Sequence, residues 1–254
     1  MENETLYRDK PVWTAIWSLV IPSVLTILVM VVYNLADMFF IAMLGDDTQV
    51  AAVAVVGPVF SVANAVATTI GAGGCTLLAR TLGAGEREKA SSLASLCVWT
   101  ALGFGLVFAV LLLLFSTPAL HILGATEDLL TYSVRYLRIL AIGSPLMLFS
   151  VSTASIVRAE GVIIPGMMSH MAGTVTNLVL DPLFILALHM GISGAALATV
   201  IGNLAASLLL VRSIRGNCAV VRLSPACARG MLPRLPSVLA TGLPNGASSI
   251  LSGL

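Results

Sequence analysis

Charged residues are scarce along the whole of this 254-residue chain. Asp, Glu, Lys and Arg make up 10% of the sequence, whereas 58% of it is hydrophobic. Soluble domains carry about 25% charged residues. Because the shortage extends over the full length, it excludes an ordinary soluble domain and indicates an integral membrane protein.

Several kinds of site also lack sequence support. The 4 Cys residues form no CxxC pair and have no His partners at zinc-site spacing, so neither a zinc site nor a disulfide framework is indicated. No basic cluster is interleaved with aromatic residues, which argues against nucleic-acid binding. The N-terminal MENETLYRDK is acidic and polar and lacks a small-residue cleavage site, so we expect no cleaved signal peptide. GAGGC at 71–75 lacks the GxGxxG spacing and follows no strand, which favours helix packing over a phosphate cradle.

Long hydrophobic runs, in contrast, recur throughout. Spanning a membrane takes about 20 apolar residues, and runs of this length favour helices over barrel strands. The sequence therefore predicts an all-α integral membrane protein, a six-helix transmembrane bundle plus the start of a seventh helix. Six spans are predicted at roughly 12–43, 51–79, 91–115, 131–157, 162–188 and 192–212, and a seventh begins near Ser237.

The basic residues are distributed unevenly between the connections. If the N-terminus lies inside, the inner connections collect eleven of the 13 Lys and Arg residues, and only Arg135 and Arg138 lie near the outer side. This bias follows the positive-inside rule. We therefore predict a multi-pass protein of the plasma or inner cell membrane with a cytoplasmic N-terminus.

Small residues repeat every four positions in two predicted helices. Repeats of this kind let helix backbones approach closely in lipid. Both faces are therefore predicted to pack against other helices: Ala63, Ala67, Gly71, Cys75, Ala79 and Gly83 in the second, and Gly194, Ala198, Gly202 and Ala206 in the sixth.

The segment after the sixth span has the character of a linker. It is polar and basic and contains Pro and Gly, and the proline spacing around the first span (Pro11, Pro22) recurs around the seventh (Pro233, Pro244). The recurrence predicts the opening of a second, similar half. We expect an N-terminal lobe at 1–213, a cytoplasmic basic linker at 214–236, and the start of a truncated helix seven at 237–254.

Two carboxylates lie well inside predicted spans: Asp37 in YNLADMFFIA and Asp181 in TNLVLDPLFI. On insertion scales an Asp at the centre of a membrane helix costs about 2.5–3.5 kcal/mol. Ionisable residues kept at such a cost generally serve function. The alternative is a structural role, with each acid capped by a neighbouring Arg or by backbone amides.

Further polar side chains accompany these acids, spaced so that each group can occupy one helix face. Carboxylate, amide and hydroxyl oxygens suit a hard cation, and a carboxylate in a dry cavity can equally hold a proton. Taken singly, the amides and the Thr could instead form interhelical hydrogen bonds. Together they predict an ion or proton site built from three spans: Tyr33, Asn34 and Asp37, then Asn177 and Asp181, then Thr199 and Asn203.

Two prolines lie within these spans. Pro22 and Pro182 each leave the carbonyl four residues earlier without its helical donor. A passive kink is one interpretation. Beside a titratable acid, a kink also gives a helix two bends of similar energy, between which ion binding could choose. We predict both prolines as hinges.

Five stretches, in this order and spacing, resemble a known family: IPSVLTILVMVVYNLADMFFIAMLG, RTLGAGEREKA, RAEG, TNLVLDPLFI and GISGAALATVIG. They are similar to the N-terminal half of a MATE (multidrug and toxic compound extrusion) transporter, and the resemblance covers residues 13 to 254. Members of that family have two six-helix lobes, so this chain would supply the N-terminal lobe of a twelve-helix transporter and the start of the second lobe.

The resemblance implies an antiporter, not an enzyme, that exports organic cations or drugs in exchange for Na⁺ or H⁺. It matches Tyr33 to the family's Tyr one turn before the first-helix acid, and Pro22 to its bending proline. In SVSTASIVRAEG, Ser and Thr stand where members often have Asn, which leaves the fourth-helix ligand and the choice of Na⁺ or H⁺ open. The coupling cavity, where Na⁺ would bind, matches these positions: Asp37, Asn177, Asp181 and Thr199.

The resemblance and the composition together define the expected partners. They are membrane lipid, small cationic or amphipathic substrates, and a C-terminal lobe from the same chain or a second copy. No cofactor is expected beyond the coupling ion. One rival is a lipid-linked oligosaccharide flippase of the same superfamily, which would favour a basic cavity. Another is an intramembrane aspartyl protease, which needs GxGD, whereas Asp181 lies in LVLDP.

Overall fold

The computed structural model describes residues 12–221 and 230–253, and it describes only part of the side chains in the first and last helices. The described residues are helical and contain no strand, so the predicted all-α class is confirmed. The long helices are α1 (Val12–Ala42), α2 (Asp47–Gly83), α3 (Arg87–Ile122), α4 (Glu127–Ala159), α5 (Ile163–Pro182), α6 (Ile192–Asn217) and α7 (Leu235–Gly253).

Helix length and composition agree with the predicted spans. Within the described residues, α2, α3, α4, α5 with its extension, and α6 are each long and apolar enough to cross a membrane. The predicted first span lies in α1, of which Ile27–Ala42 counts as a shorter apolar helix. A π-helix (Leu183–Ala187) extends α5 beyond Pro182, and a 3-10 turn (Leu232–Arg234) leads into α7. Residues 222–229 of the predicted linker lie outside the described residues.

The helix α4 forms the centre of the bundle. In α4, 61% of the most apolar 18-residue segment is buried, against 22% to 44% in the other four spans. It packs against α2, α3 and α6, while α1 packs mainly against α5. One large apolar cluster gathers the C-terminal halves of α2 and α4 with the N-terminal half of α3. A second gathers the opposite halves of these helices with the start of α6. The polar site described below adjoins the second cluster.

The small-residue face of α6 packs along its full predicted length, as expected. Gly194, Ala198, Gly202 and Ala206 are all buried. A Cβ atom added to Gly202 would lie 2.7 Å from the carbonyl oxygen of Gly173 on α5, so the two backbones cross in direct contact. This crossing places the polar positions of α5 opposite those of α6.

The corresponding face of α2 packs over only part of its predicted length. Ala63, Ala67 and Gly71 are buried, and the Ser152 hydroxyl of α4 donates to the Ala67 carbonyl at 2.8 Å. The prediction is wrong for Ala79 and Gly83, which are exposed. Both positions lie in the last two turns of α2, beside the turn into α3, and nothing lies within 4 Å of a Cβ atom added to Gly83, so no described helix covers this part of the face.

The N-terminal ends of α2 and α6 are joined by one polar network. The Asp46 carboxylate caps α2 by accepting from the Thr48 amide at 3.0 Å and from the Gln49 side chain at 3.0 Å. The side-chain oxygen of Gln49, Oε1, accepts from the backbone amide of Ile192 at 3.2 Å. The Gln49 hydrogen bond, with those from Thr48, holds the pKa of Asp46 below its usual range. Gly191 turns into α6 at φ +58°, close against Gln49, where a side chain would be strained.

Candidate functional site

One face of α1 carries Tyr33 and Asp37 towards α5 and α6. The two residues are four apart and therefore lie on the same side of the helix. Asp37 Oδ1 is buried and has no hydrogen-bond partner among the described residues. Asn34, predicted to share this face, is exposed and does not line the cavity described below. The reason is that one helical residue rotates about 100°, so Asn34 points away from the face of Tyr33.

The next helix to contribute is α5, through Asn177 and Asp181. Asn177 is 3% exposed and Asp181 is 0% exposed, so both acceptor groups are removed from water. Pro182 follows Asp181 directly and ends the α-helical part of α5, and the chain continues in the π-helix. A proline lacks the amide proton that a regular α-helix requires, which explains the change of helix type.

The polar side chains of α6 meet those of α5 through hydrogen bonds. The Asn177 Nδ2 atom donates to Thr199 Oγ1 at 3.1 Å, and the Thr199 hydroxyl donates to the Ala195 carbonyl at 3.0 Å. Asn203 Nδ2 donates to the Thr199 carbonyl at 3.0 Å. Because the Asn177 amide nitrogen is used in this way, its Oδ1 atom remains as a buried acceptor with no partner in the described residues.

A small cavity of about 100 Å³ joins α1, α5 and α6. The Tyr33 side chain reaches Thr199 across it. Four of the sequence-predicted residues line it, and two polar lining residues were missed. Residue spacing could have found His170 and Thr174, which lie seven and three positions before Asn177 on the same helix face. The full lining is Tyr33, His170, Gly173, Thr174, Asn177, Thr199, Gly202, Asn203 and Ala206.

The two acids belong to one electrostatic unit. Asp37 and Asp181 lie close enough for their charges to interact. Both also act on the phenol of Tyr136, a buried residue of α4 that carries no sequence signal linking it to them. Neither acid forms an ion pair with any basic side chain in the described part of the chain. The described residues therefore do not support the alternative in which an Arg neutralises the two acids permanently.

Unpaired acceptors dominate this site. The buried oxygens without a partner among the described residues include Asp37 Oδ1, Asn177 Oδ1 and both carboxylate oxygens of Asp181. A buried acceptor without a donor costs about 1–3 kcal/mol, and more when it is charged. A proton or a hard cation would relieve this cost, and either would be held by side chains of different helices. Among the described residues no group of three His, Cys, Asp or Glu forms a metal site, so the donors of such a cation would include amide and hydroxyl oxygens.

The predicted hinges lie beside this site in sequence, and their movement stays a prediction. Pro182 is adjacent to Asp181. Pro22 lies within α1, but its side chain lies outside the described residues. The fourth-helix Ser and Thr of SVSTASIVRAEG are not among the residues that line the cavity.

The described residues define a class: a helical membrane bundle that encloses a small polar cavity, with two unpaired acids, Asp37 and Asp181, on the helices that form it but outside its lining. The MatE family model matches residues 22–183, more than half of the chain, and the protein belongs to the MatE family.

Relatives of known name and structure agree with this assignment. Multidrug export protein MepA of Staphylococcus aureus (strain NCTC 8325 / PS 47) is 28% identical over 255 residues, a match that covers 100% of this chain and 56% of MepA. A crystal structure of MATE in complex with MaL6 superimposes with a TM-score of 0.88 at 29% identity, covering 98% of this chain and 55% of that one. A MOP superfamily transporter from Pyrococcus furiosus, described as having reversed binding-pocket polarity, gives a TM-score of 0.87 at 28% identity, with coverages of 98% and 55%. The chain thus spans about half the length of the relatives it matches.

Proposed function

We propose that this chain forms one lobe of a secondary antiporter that exports organic cations or drugs in exchange for Na⁺ or H⁺. The single observation that carries the proposal is the set of buried, unpaired oxygens contributed by Asp37, Asn177 and Asp181. Family membership and the multidrug export name of the MepA relative support it. We place the protein in the plasma or inner membrane with a cytoplasmic N-terminus, because the basic residues crowd the connections on that side.

In the proposed cycle, the outward-facing site loads a proton or Na⁺. The ion is substrate here, and no resident cofactor is involved. Asp37 and Asp181 would share it, with Asn177 Oδ1 as a further ligand and the Asn177–Thr199 hydrogen bond fixing the orientation of the amide. Loading removes the repulsion between the two acids and their desolvation cost. That change would let α1 bend at Pro22, and the chain at Pro182, and release the cationic drug.

The energy available is sufficient for drug accumulation outside. One charge that moves inward gains about 2.3 kcal/mol per 100 mV of membrane potential. A tenfold ion gradient adds about 1.4 kcal/mol. Together these support a gradient of roughly a few hundredfold per ion for a neutral cargo. When one monovalent cation leaves for each ion that enters, no net charge moves, so only the ion gradient counts and the drug gradient is about tenfold. The second lobe needed for alternating access would come from the same chain or from a second copy.

The polarity of the site favours a cationic cargo over an anionic one. The cavity is lined by no Lys or Arg among the described residues, and the two acids lie next to it. A lipid-linked oligosaccharide flippase would need basic groups to hold a pyrophosphate. The acidic character therefore supports the drug antiporter in preference to the flippase.

The first prediction concerns the substitution Asp181→Asn. The transporter, purified at its native length, is reconstituted in liposomes, and efflux of a fluorescent organic cation is measured under an imposed Na⁺ or pH gradient. Asn keeps the shape of the side chain but cannot carry the charge that is exchanged, so gradient-driven efflux is expected to fall at least about a hundredfold, as for loss of a required charged group.

The matched control for this experiment is Asp128→Asn. Asp128 is an exposed acid in the first turn of α4, away from the cavity. The Asp128→Asn variant should transport at the wild-type rate. Wild-type coupled efflux in Asp181→Asn would remove the central claim, and the gradient that drives the wild type identifies the coupling ion.

A further inference from the structure

A second polar groove lies between α3 and α4, and it shares no lining residue with the small cavity between α1, α5 and α6. It has a volume of about 490 Å³. Arg135 and Arg138, the two basic residues that the charge distribution places on the outer side, both line it. Thr131, one turn before Arg135, lies on the same face of α4. We call this feature the outer arginine groove, and its lining residues are Thr117, Leu130, Thr131, Val134, Arg135, Arg138 and Ile139.

A break in α3 opens this groove. Phe115 has non-helical torsion angles (φ −113°, ψ 24°), and Pro118 lies inside the helix three residues later. Pro118 has no amide proton to donate to the Leu114 carbonyl, so the helix kinks there. The buried Ser116 hydroxyl at the kink accepts from Arg138 Nε at 3.4 Å. That contact leaves the two terminal guanidinium nitrogens of Arg138 available to a ligand.

The two guanidinium groups of the groove have no acidic partner in direct contact within the described part of the chain. Among the described residues, neither Arg135 nor Arg138 forms an ion pair. The nearest acids in sequence, Glu127 and Asp128, lie in the first turn of α4, about two turns before Arg135. The two guanidinium groups, together with the hydroxyls of Thr117 on α3 and Thr131 on α4, can bind the oxygens of a phosphate group through several charge-assisted hydrogen bonds.

The position of the groove along the membrane normal favours a lipid as the source of that phosphate. The 33 residues of α4 form about 50 Å of helix, whereas the hydrocarbon core is about 30 Å thick. If α4 is centred, the outer boundary of the hydrocarbon falls about 10 Å from its start. Arg135 and Arg138 lie about 12 Å and 17 Å from that start, and long Arg side chains extend back to the headgroup level.

An apolar surface continues from the groove towards the membrane centre. Leu113, Leu114 and Phe115 of α3 are exposed, as are Val110 and Leu111 one turn deeper. A ligand with a phosphate at the arginines would therefore have hydrocarbon-compatible surface directly beneath it. This is the arrangement that a phospholipid presents: a charged headgroup above two acyl chains.

We propose that the outer arginine groove binds the headgroup of an anionic phospholipid of the outer leaflet, with the acyl chains lying on α3. The proposal does not depend on the ion-coupling site, and it gives a role to the two arginines that the charge distribution assigns to the outer side. Binding there would fix the kinked end of α3 against α4.

The test is native mass spectrometry of the transporter at its native length, mixed with equal amounts of phosphatidylglycerol and phosphatidylcholine. The wild type should retain phosphatidylglycerol preferentially. In Arg135→Gln/Arg138→Gln the preference should fall at least about tenfold, because two charge-assisted contacts are lost. The matched control is Arg80→Gln/Arg87→Gln, an exposed pair near the inner loop with the same change in net charge, which should keep the preference.

Three results would overturn the proposal. They are no phosphatidylglycerol preference in the wild type, an equal loss in the control pair, and displacement of the lipid by millimolar inorganic phosphate, which would indicate a site for free phosphate. Arg135→Lys/Arg138→Lys keeps the charge and separates binding from folding. It should retain most of the preference, and a loss as large as in the Gln pair would contradict a charge-based site.

Discussion

At the scale of single residues, Glu160 makes an unusual number of contacts for one side chain. Its carboxylate, in the turn between α4 and α5, accepts from the backbone amides of Ala219, Val220 and Val221 at 2.5, 2.7 and 3.0 Å. These amides follow α6, so one acid attaches the start of the linker to the inner end of α4. Burial, and then the charge of Glu160, raise the pKa of the neighbouring Cys218 thiol to about 12.

The second prediction follows from this raised thiol pKa. A thiol reacts as its thiolate, so a pKa near 12 keeps Cys218 protonated and slow to react throughout neutral pH. With the other three cysteines replaced by Ala, alkylation by iodoacetamide at pH 8 should be at least about a hundredfold slower than for a free thiol of ordinary pKa. The rate should still be rising about tenfold per pH unit at pH 10.

The partner variant for this measurement is Glu160→Gln. Loss of the negative charge should lower the Cys218 pKa and accelerate alkylation, but only in part, because burial is the larger cause. Glu86→Gln, an acid at the start of α3 whose ion pair is with Lys89, should leave the rate unchanged. A rate that levels off below pH 9 would contradict the raised pKa.

At the scale of helices, the crossing of α5 and α6 positions the small polar cavity. Gly173 and Gly202 face each other at this crossing, and Asn177 lies one turn further along α5. Because no side chain separates the backbones, the Asn177 amide can reach Thr199 directly. The packing face and the polar site are therefore parts of the same contact.

The third prediction is that Gly202→Ala destabilises this crossing. The added Cβ would lie 2.7 Å from the Gly173 carbonyl oxygen and 3.1 Å from Asn177 Cβ, so the helices must separate. Overpacking of this kind costs about 1–3 kcal/mol, and the thermal unfolding midpoint in detergent should fall accordingly. Gly103→Ala in α3 is the control, since nothing lies within 4 Å of its added Cβ. Equal midpoints for the two variants would show that the crossing tolerates a methyl group.

At the scale of the whole molecule, α7 packs against α2 through glycines. Gly242 lies directly against the Thr69 carbonyl of α2, and Gly73 of α2 lies against the Val238 carbonyl of α7. The helix after the linker thus joins the bundle along α2. The division of the chain into a lobe, a linker and the start of a second lobe stays a prediction, although α6 continues to Asn217 and α7 begins at Leu235.

The fourth prediction concerns the orientation of the whole bundle. In a background without native cysteines, Asp128→Cys at the start of α4 should react with a membrane-impermeant maleimide in intact cells. Gly83→Cys at the end of α2 should react only after permeabilisation. Both positions are exposed, so accessibility depends on the side of the membrane. The physical reason is the excess of Lys and Arg near Gly83. The reverse labelling pattern would contradict a cytoplasmic N-terminus.

The sequence by itself determined the helices and the cost of the two acids. Lipid leaves the backbone no partner except itself, so each long apolar run had to become a helix. The free-energy cost of placing Asp37 and Asp181 in such apolar runs also followed from the sequence. So did the expectation that residues four apart share one helix face. The small-residue face of α6 was also readable, because its spacing is a property of one helix.

Only the tertiary structure decided which faces meet. It turned Tyr33 inward and Asn34 outward, and it placed Tyr136 of α4 near both acids. It also left the inner end of the α2 ladder unpacked. The physical reason is that the rotation of a helix about its own axis is fixed by contacts with distant segments, whereas periodicity within one helix reports only that a face exists.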